Sequence, residues 1–78
     1  MSAAQLLDRL QEKPFRPFRV RLSDNSTIDV LYPLGSVIVG PTSAIMALQY
    51  GNSEYGQKLV LRWKTVALDQ IIELVDLE

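Results

Sequence analysis

After an N-terminal helical segment, this chain consists of short runs of alternating apolar and polar residues separated by turn residues. Arginines alternate with apolar residues in 18–22, and in 59–64 two leucines and a tryptophan occupy every second position. A period of two is typical of β-strands that bury one face. Since the pattern shows no crossover helix between these runs, it favours antiparallel strands over parallel strands joined by helices.

The N-terminal segment has the pattern of a short amphipathic helix. Ser2 and Gln5 have the spacing of a capping box, in which each side chain bonds the backbone of the other residue. An apolar stripe at helical spacing follows, formed by Leu6, Leu7 and Leu10. Pro14 disfavours helical backbone in the residue before it. The pattern therefore predicts a helix over residues 3–12, which needs a surface to pack on because isolated helices this short are marginal.

Turn residues divide the rest of the chain into five or six strands. Asn25 lies in the first tight turn, where asparagine tolerates the positive φ that hairpins require. The predicted strands are residues 18–22, 27–32, 37–39, 44–48, 59–64 and 71–77. Residues 68–70 have the composition of a single helical turn. We therefore predict one domain over 1–78, mainly β, with the helix at 3–12 and a small antiparallel five-stranded barrel or roll over 15–78.

The composition excludes several kinds of site. Among 78 residues there is neither cysteine nor histidine, which excludes disulfides, Cys/His zinc sites and histidine-based triads. No spacing brings together two of the carboxylates considered for acid–base chemistry, which are Asp24, Asp29, Glu54 and Asp69. We predict no catalytic residue, no metal and no cofactor. No apolar run exceeds five residues and no signal-peptide pattern is present, so we expect a cytoplasmic protein without membrane association.

Charge is unevenly distributed along the chain although the formal net charge is −1. The segment 13–21 carries only basic charges and the segment from residue 69 onward only acidic ones. One interpretation is a phosphate-binding face, whose candidate residues are Arg16, Arg19, Arg21, Arg62 and Lys64. The other is that the first and last strands pair and their opposite charges form cross-strand ion pairs. The second is favoured because nucleic-acid-binding domains carry a basic excess.

Two apolar features concern packing. Trp63 shares its strand parity with Leu59 and Leu61, so we expect it in the core. The final strand is apolar on both faces, which is typical of a strand covered from both sides. In so short a chain the second cover is the helix or another subunit. The predicted oligomer interface consists of Ile71, Ile72, Leu74 and Val75.

The segment 13–24 reads KPFRPFRVRLSD, and TIDV follows at 27–30 and VGPTS at 39–43. These residues resemble a family of small uncharacterised bacterial proteins in which a leader helix precedes a PFRPFRVRLSDG-type strand and hairpin. The resemblance covers most of the chain and implies no known activity. Asn25 stands where that family usually has glycine.

A leader helix followed by short antiparallel strands is also similar to the Sm-like and SH3-like small barrels. Sm-like proteins assemble into rings and bind RNA, and LDQI at 68–71 falls where the bacterial Sm-like RNA chaperone has its turn before the last strand. Leu68 and Asp69 stand where that protein uses a Lys-His pair for RNA. The resemblance therefore implies fold and assembly, and does not transfer the RNA contacts.

Together these observations predict a non-enzymatic small β module that self-associates through its C-terminal strand. A small core without disulfides supports this expectation, because domains of this size gain stability from assembly. Two alternatives stay open. One is binding of single-stranded nucleic acid through the basic strand face. The other is a protein-interaction module that uses an edge strand.

Overall fold

The computed structural model describes residues 1–33 and 35–77, which form one α-helix, six strands and a short 3₁₀ helix. The predicted mainly β fold with an N-terminal helix is confirmed. The helix is α1 (Ala3–Leu10), and the 3₁₀ helix spans Leu68–Gln70. The strands are β1 (Phe18–Leu22), β2 (Thr27–Val30), β3 (Val37–Val39), β4 (Ser43–Asn52), β5 (Lys58–Ala67) and β6 (Ile71–Asp76).

Helix α1 begins with the predicted capping box and ends two residues earlier than predicted. The Ser2 hydroxyl accepts a hydrogen bond from the Gln5 N–H at 3.2 Å, and the Ser2 N–H donates to Gln5 Oε1 at 3.0 Å. Leu6 is fully buried, so the apolar stripe docks α1 on the strands. Among the described residues, no helix has the length and apolar character needed to span a membrane.

The strands form two antiparallel three-stranded sheets, in the orders β2-β1-β6 and β3-β4-β5. The predicted five-stranded barrel or roll is therefore confirmed only as a mainly β antiparallel fold, because the described strands number six and their sheets do not close into a barrel. Within the described residues no hydrogen-bonded ladder joins β2 to β3 or β5 to β6. The 3₁₀ helix after β5 carries the chain out of one sheet into the other, so β5 and β6 lie in different sheets.

One hydrophobic core lies between the two sheets and under α1. β1 shows the alternation expected from its sequence, because Phe18, Val20 and Leu22 are buried while Arg19 is exposed. Residues of both sheets and of α1 share the core, which includes Leu6, Phe18, Val20, Ile28, Val30, Ala44, Met46, Val66, Leu68 and Ile71. The period-two pattern therefore separates a buried face from a charged outer face.

The β1–β2 hairpin turns where the sequence predicts. Asn25 has φ 69°, and its N–H donates to the Leu22 carbonyl at 2.9 Å. Asp24 Oδ1 accepts from the Ser26 N–H at 2.9 Å. These bonds close a tight turn, and they fix the register in which Arg19 faces Asp29.

Strand β6 contains a bulge that changes which residues face the core. Arg21 pairs with Glu73 and Leu22 with Ile71, so Ile72 is an extra residue in the ladder. Ile71 and Leu74 therefore both pack on the core despite their odd spacing. Ile72 is 50% exposed and Val75 is 42% exposed. Within this chain the described residues cover one side of the strand and leave Ile72 and Val75 exposed, so cover by another subunit stays a prediction.

Strands β4 and β5 form a long hairpin whose outer face is apolar. Val66 is buried, whereas Trp63 has the opposite parity and is 44% exposed. The prediction that Trp63 lies in the core is wrong, because β4, with Ala44 and Met46, and the buried Val66 supply the inner face. Trp63, Leu61 and Leu59 instead lie on the outer face.

Candidate functional site

The arginines of β1 form ion pairs across the β2-β1-β6 sheet. Arg19 Nε donates to Asp29 Oδ1 at 2.7 Å and its second terminal nitrogen donates to Oδ2 at 3.2 Å. Arg21 Nε donates to Glu73 Oε1 at 2.6 Å. The first and last strands are neighbours, as the ion-pair interpretation requires. Of the two β1 arginines, only Arg21 is paired with the last strand, since the partner of Arg19 lies on β2.

A second group of charges joins the end of α1 to β6. Arg16 Nε lies 3.0 Å from Glu12 Oε2, and one of its terminal nitrogens lies 3.6 Å from Asp76 Oδ2. Arg9 also donates to Asp76, and its guanidinium carbon lies 4.7 Å from the centroid of the Phe18 ring. Arg9 was not recognisable as a site residue from the sequence. Its place on the face of α1 that turns towards β6 depends on tertiary packing that the sequence pattern does not contain.

These hydrogen bonds shift the acid–base properties of the groups involved. The bonds from Arg19 lower the pKa of Asp29 below its usual range, against a smaller opposing effect of burial, and the same pair raises the pKa of Arg19. At the hairpin, hydrogen bonds from the hydroxyl and N–H of Ser26 lower the pKa of Asp24, and Lys64 adds a smaller electrostatic effect. Hydrogen bonds from their own chain therefore favour the ionised form of Asp24 and Asp29.

The bases of β5 are in a different environment. Lys58, Arg62 and Lys64 have no carboxylate at ion-pair distance among the described residues. Strands β3, β4 and β5 contain no aspartate or glutamate. All three bases have the same strand parity, which places them on one side of β5. Lys58 lies one residue before the start of the strand that the sequence predicts, so the sequence pattern did not identify it.

The structure does not unite the five candidate nucleic-acid-binding residues. Arg16, Arg19 and Arg21 are ion-paired on or beside the β2-β1-β6 sheet, while Arg62 and Lys64 lie on β5 of the other sheet. The phenylalanines among the basic residues pack inward instead of forming a stacking surface. Phe18 is fully buried, and its ring centroid lies 6.1 Å from that of Phe15.

The outer face of the β3-β4-β5 sheet is an apolar surface, which we call the outer apolar face. Its large side chains are Ile38, Ile45, Leu59, Leu61 and Trp63. Ile38 pairs with Ile45 across β3 and β4. At Gly51 a Cβ atom would lie 2.9 Å from a Leu61 methyl carbon, so Leu61 covers this glycine and continues the surface towards the hairpin tip.

Each sheet has two edge strands among the residues described, β2 and β6 in one sheet and β3 and β5 in the other. β5 pairs only with β4, and β6 pairs only with β1, among the strands described. The predicted interface residues are divided between core and surface. Ile71 and Leu74 belong to the core, and Ile72 and Val75 are exposed. Glu78, the last carboxylate of the predicted acidic end, lies outside the described residues.

Two tyrosine rings pack against the β4–β5 hairpin near Lys58, whereas the tyrosine in its turn is exposed. The Tyr32 and Tyr50 rings meet edge to face at 5.5 Å, and Lys58 Nζ lies 3.5 Å from the Tyr32 centroid. Tyr55, at the hairpin turn, is 83% exposed. The cation–π contact fastens the start of β5 to the segment after β2.

Three surface cavities, of about 280, 460 and 350 Å³, each contain a single carboxylate in their lining, namely Asp29, Asp69 and Glu12. Among the described residues no cluster of three or more histidine, cysteine, aspartate or glutamate side chains has the spacing of a metal site. The cavities thus contain none of the paired carboxylates that acid–base hydrolysis uses.

Comparison with known proteins adds no further constraint. No family model, no curated protein and no solved structure matches this chain. The resemblances to the small bacterial family and to the Sm-like fold therefore stay predictions. The features of this chain that bear on function are the edges of β5 and β6, the ion pairs and the outer apolar face.

Proposed function

We propose that this chain is a non-enzymatic module that self-associates through the free edge of β6. The observation that carries the proposal is the composition of that edge. β6 has one side without a partner strand in the described part of the chain, and it exposes Ile72 and Val75. Its carboxylates Glu73 and Asp76 are already paired with arginines of the same chain.

The charges favour β6 over β5 as the edge that meets its own copy. Two β6 edges approach each other without uncompensated like charges, because Arg21 neutralises Glu73 and Arg9 neutralises Asp76. Two β5 edges would bring three unpaired bases from each copy together, and like charges placed opposite each other destabilise a strand pair. A twofold arrangement of β6 against β6 uses the same surface on both copies.

The expected dimer is weak. The bulge at Ile72 limits regular strand pairing to 73–76, so few backbone hydrogen bonds form between copies. Burying the exposed half of each Ile72 and Val75 side chain contributes about 1 kcal/mol, hence roughly 4 kcal/mol for two copies. This gain is near the lower end of the association cost, roughly 4–15 kcal/mol. We therefore expect assembly that depends on protein concentration.

We further propose that the architecture is related to the Sm-like and SH3-like small barrels. The leader helix, the antiparallel strands and the 3₁₀ helix Leu68–Gln70 before the last strand support this assignment. The two sheets that fail to close distinguish this chain from a complete barrel. The architecture alone assigns no ligand, since one fold hosts many functions.

Nucleic-acid binding receives less support from the geometry. Three of its five candidate residues, Arg16, Arg19 and Arg21, already bind carboxylates. A phosphate would have to displace those partners. Self-association requires no such exchange, and it covers side chains that are otherwise exposed to water.

The proposal is tested by the molar mass in solution as a function of protein concentration. Light scattering after size exclusion and sedimentation equilibrium should show a monomer that becomes a dimer as concentration rises. Ile72→Lys should abolish the dimer, because a desolvated lysine would face its own copy. Ile38→Lys is the matched control, since Ile38 is also exposed, at 58%, and lies in the other sheet. A monomer at every concentration, or an unchanged mass for Ile72→Lys, contradicts the proposal.

A further inference from the structure

We propose that the free edge of β5 binds an extended segment of another protein in which acidic and apolar residues alternate. This site is separate from the β6 edge and does not depend on self-association. It consists of the unpaired backbone of Lys58–Ala67, the bases on one side of that strand and the apolar side chains on the other.

The first argument is the distribution of charge. Every arginine of α1, β1 and the segment between them has a carboxylate partner, these being Arg9, Arg16, Arg19 and Arg21. The three bases of β5 have none at ion-pair distance in the part of the chain that the structure describes. Lys13 is the other base of this kind, so three of the four lysines and arginines without a carboxylate at that distance lie on β5, in a chain whose formal net charge is −1. A partner segment with carboxylates would neutralise the three on β5.

The second argument is the alternation of side chains along β5. Lys58, Arg62 and Lys64 occupy even positions, while Leu59, Leu61 and Trp63 occupy odd ones. Successive side chains of a strand point to opposite faces. A strand added beside β5 would place its own residues opposite these in the same alternation, and oppositely charged and apolar cross-strand pairs both stabilise such a ladder.

The backbone of the β5 edge indicates which kind of macromolecule would bind there. The edge of β5 presents a row of backbone N–H and C=O groups without partners among the described strands. An extended polypeptide satisfies such a row through main-chain hydrogen bonds, as in the recognition of peptides by strand addition. A nucleic acid would meet the bases but leave the backbone groups unpaired. The edge therefore favours a peptide over a polynucleotide.

A second copy of this chain is a poor occupant of the same edge. Its β5 would oppose bases with bases, and the carboxylates of its β6 already bind Arg21 and Arg9. Lysines on an edge strand also prevent indiscriminate pairing of edges. The bases therefore reject the protein's own copy and select a partner with free carboxylates.

The test uses a synthetic ten-residue peptide of alternating glutamate and valine, the length of β5. Trp63 is the only tryptophan, lies on this strand and is partly exposed, so its fluorescence reports binding at the site. We expect saturable binding that weakens with salt. Arg62→Gln with Lys64→Gln should lower the affinity roughly three- to thirtyfold, from two lost surface ion pairs. Lys13→Gln with Arg16→Gln removes equal charge away from β5 and should leave the affinity unchanged.

Two peptide controls separate strand addition from simple charge attraction. Replacing glutamate by glutamine should abolish the dependence on salt and lower the affinity. N-methylation of alternate residues keeps the charges but removes main-chain donors, and it should abolish binding. Equal binding of the N-methylated peptide would overturn the proposal. So would absence of binding at low salt, tighter binding of single-stranded DNA, or loss of self-association in the β5 double variant.

Discussion

Arg19 and Asp29 face each other across β1 and β2 in a bidentate ion pair, with nitrogen–oxygen distances of 2.7 and 3.2 Å. The tight turn at Asn25 fixes the register that brings them together. The pair lies on the outer face of its sheet and is partly exposed. It satisfies the charge of Arg19, for which the sequence also left a phosphate ligand open as the less favoured alternative.

We predict that this pair makes stability sensitive to acid. The pKa of Asp29 is lowered in the folded state, so its contribution is present above the unfolded value of about 3.9 and is lost as pH falls through the lowered value. Asp29→Asn should therefore flatten the fall in stability below about pH 4. Urea unfolding of both proteins at a series of pH values measures this. Equal slopes of stability against pH would show that the pair contributes nothing.

A second prediction concerns the ion pair between Arg21 and Glu73, which joins β1 to β6. Exchanging the two residues, as Arg21→Glu with Glu73→Arg, should restore most of the stability that either single change removes. The coupling expected for a partly exposed cross-strand pair is about 0.5 kcal/mol. A double-mutant cycle in urea measures it. Fully additive single effects would mean that the two strands do not use this contact.

At the hairpin, the positive φ of Asn25 predicts opposite effects for two small substitutions. Asn25→Gly should be neutral or slightly stabilising, because glycine adopts this conformation without steric cost. Asn25→Ala should cost about 1 kcal/mol, since a Cβ is disfavoured there. Thermal unfolding of the two variants gives the comparison, and similar midpoints for both would contradict it.

The fourth prediction compares two large aromatic residues. Phe18 is fully buried, so Phe18→Ala should cost about 3–5 kcal/mol and leave so small a domain largely unfolded. Trp63 lies on the outer apolar face, and Trp63→Ser should change stability much less than Phe18→Ala. Circular dichroism during urea titration measures both. A large loss for Trp63→Ser would place the indole in the core after all.

Local patterns were sufficient for the individual elements. The capping box of Ser2 and Gln5, the strand Phe18–Leu22, the turn at Asn25 and the 3₁₀ helix at Leu68–Gln70 all follow from residues close together in the sequence. Each depends on backbone preferences that operate over a few residues, which the sequence displays directly.

The arrangement of the sheets was not predictable in the same way. Their odd and even positions show that Trp63 and Val66 point to different faces of β5. They do not show which of the two faces meets the core. The same limit applies to β6, where the bulge depends on the partner strand β1 rather than on the residues of β6 itself. The ion-pair partners of Arg19 and Arg21 were not predictable for the same reason, because they depend on the order of the strands in the sheet.

The extra residue in β6, Ile72, is exposed and takes no part in the pairing with β1, so its identity is independent of the register that the core requires. Without Ile72, Ile71 would still face Leu22 and Glu73 would still face Arg21, so the core register would survive a deletion of one residue. The side chain at this position is therefore free to vary without penalty to the interior. Related chains that gain, lose or replace this residue would have a different exposed surface on β6, and hence different binding partners, while retaining the same fold.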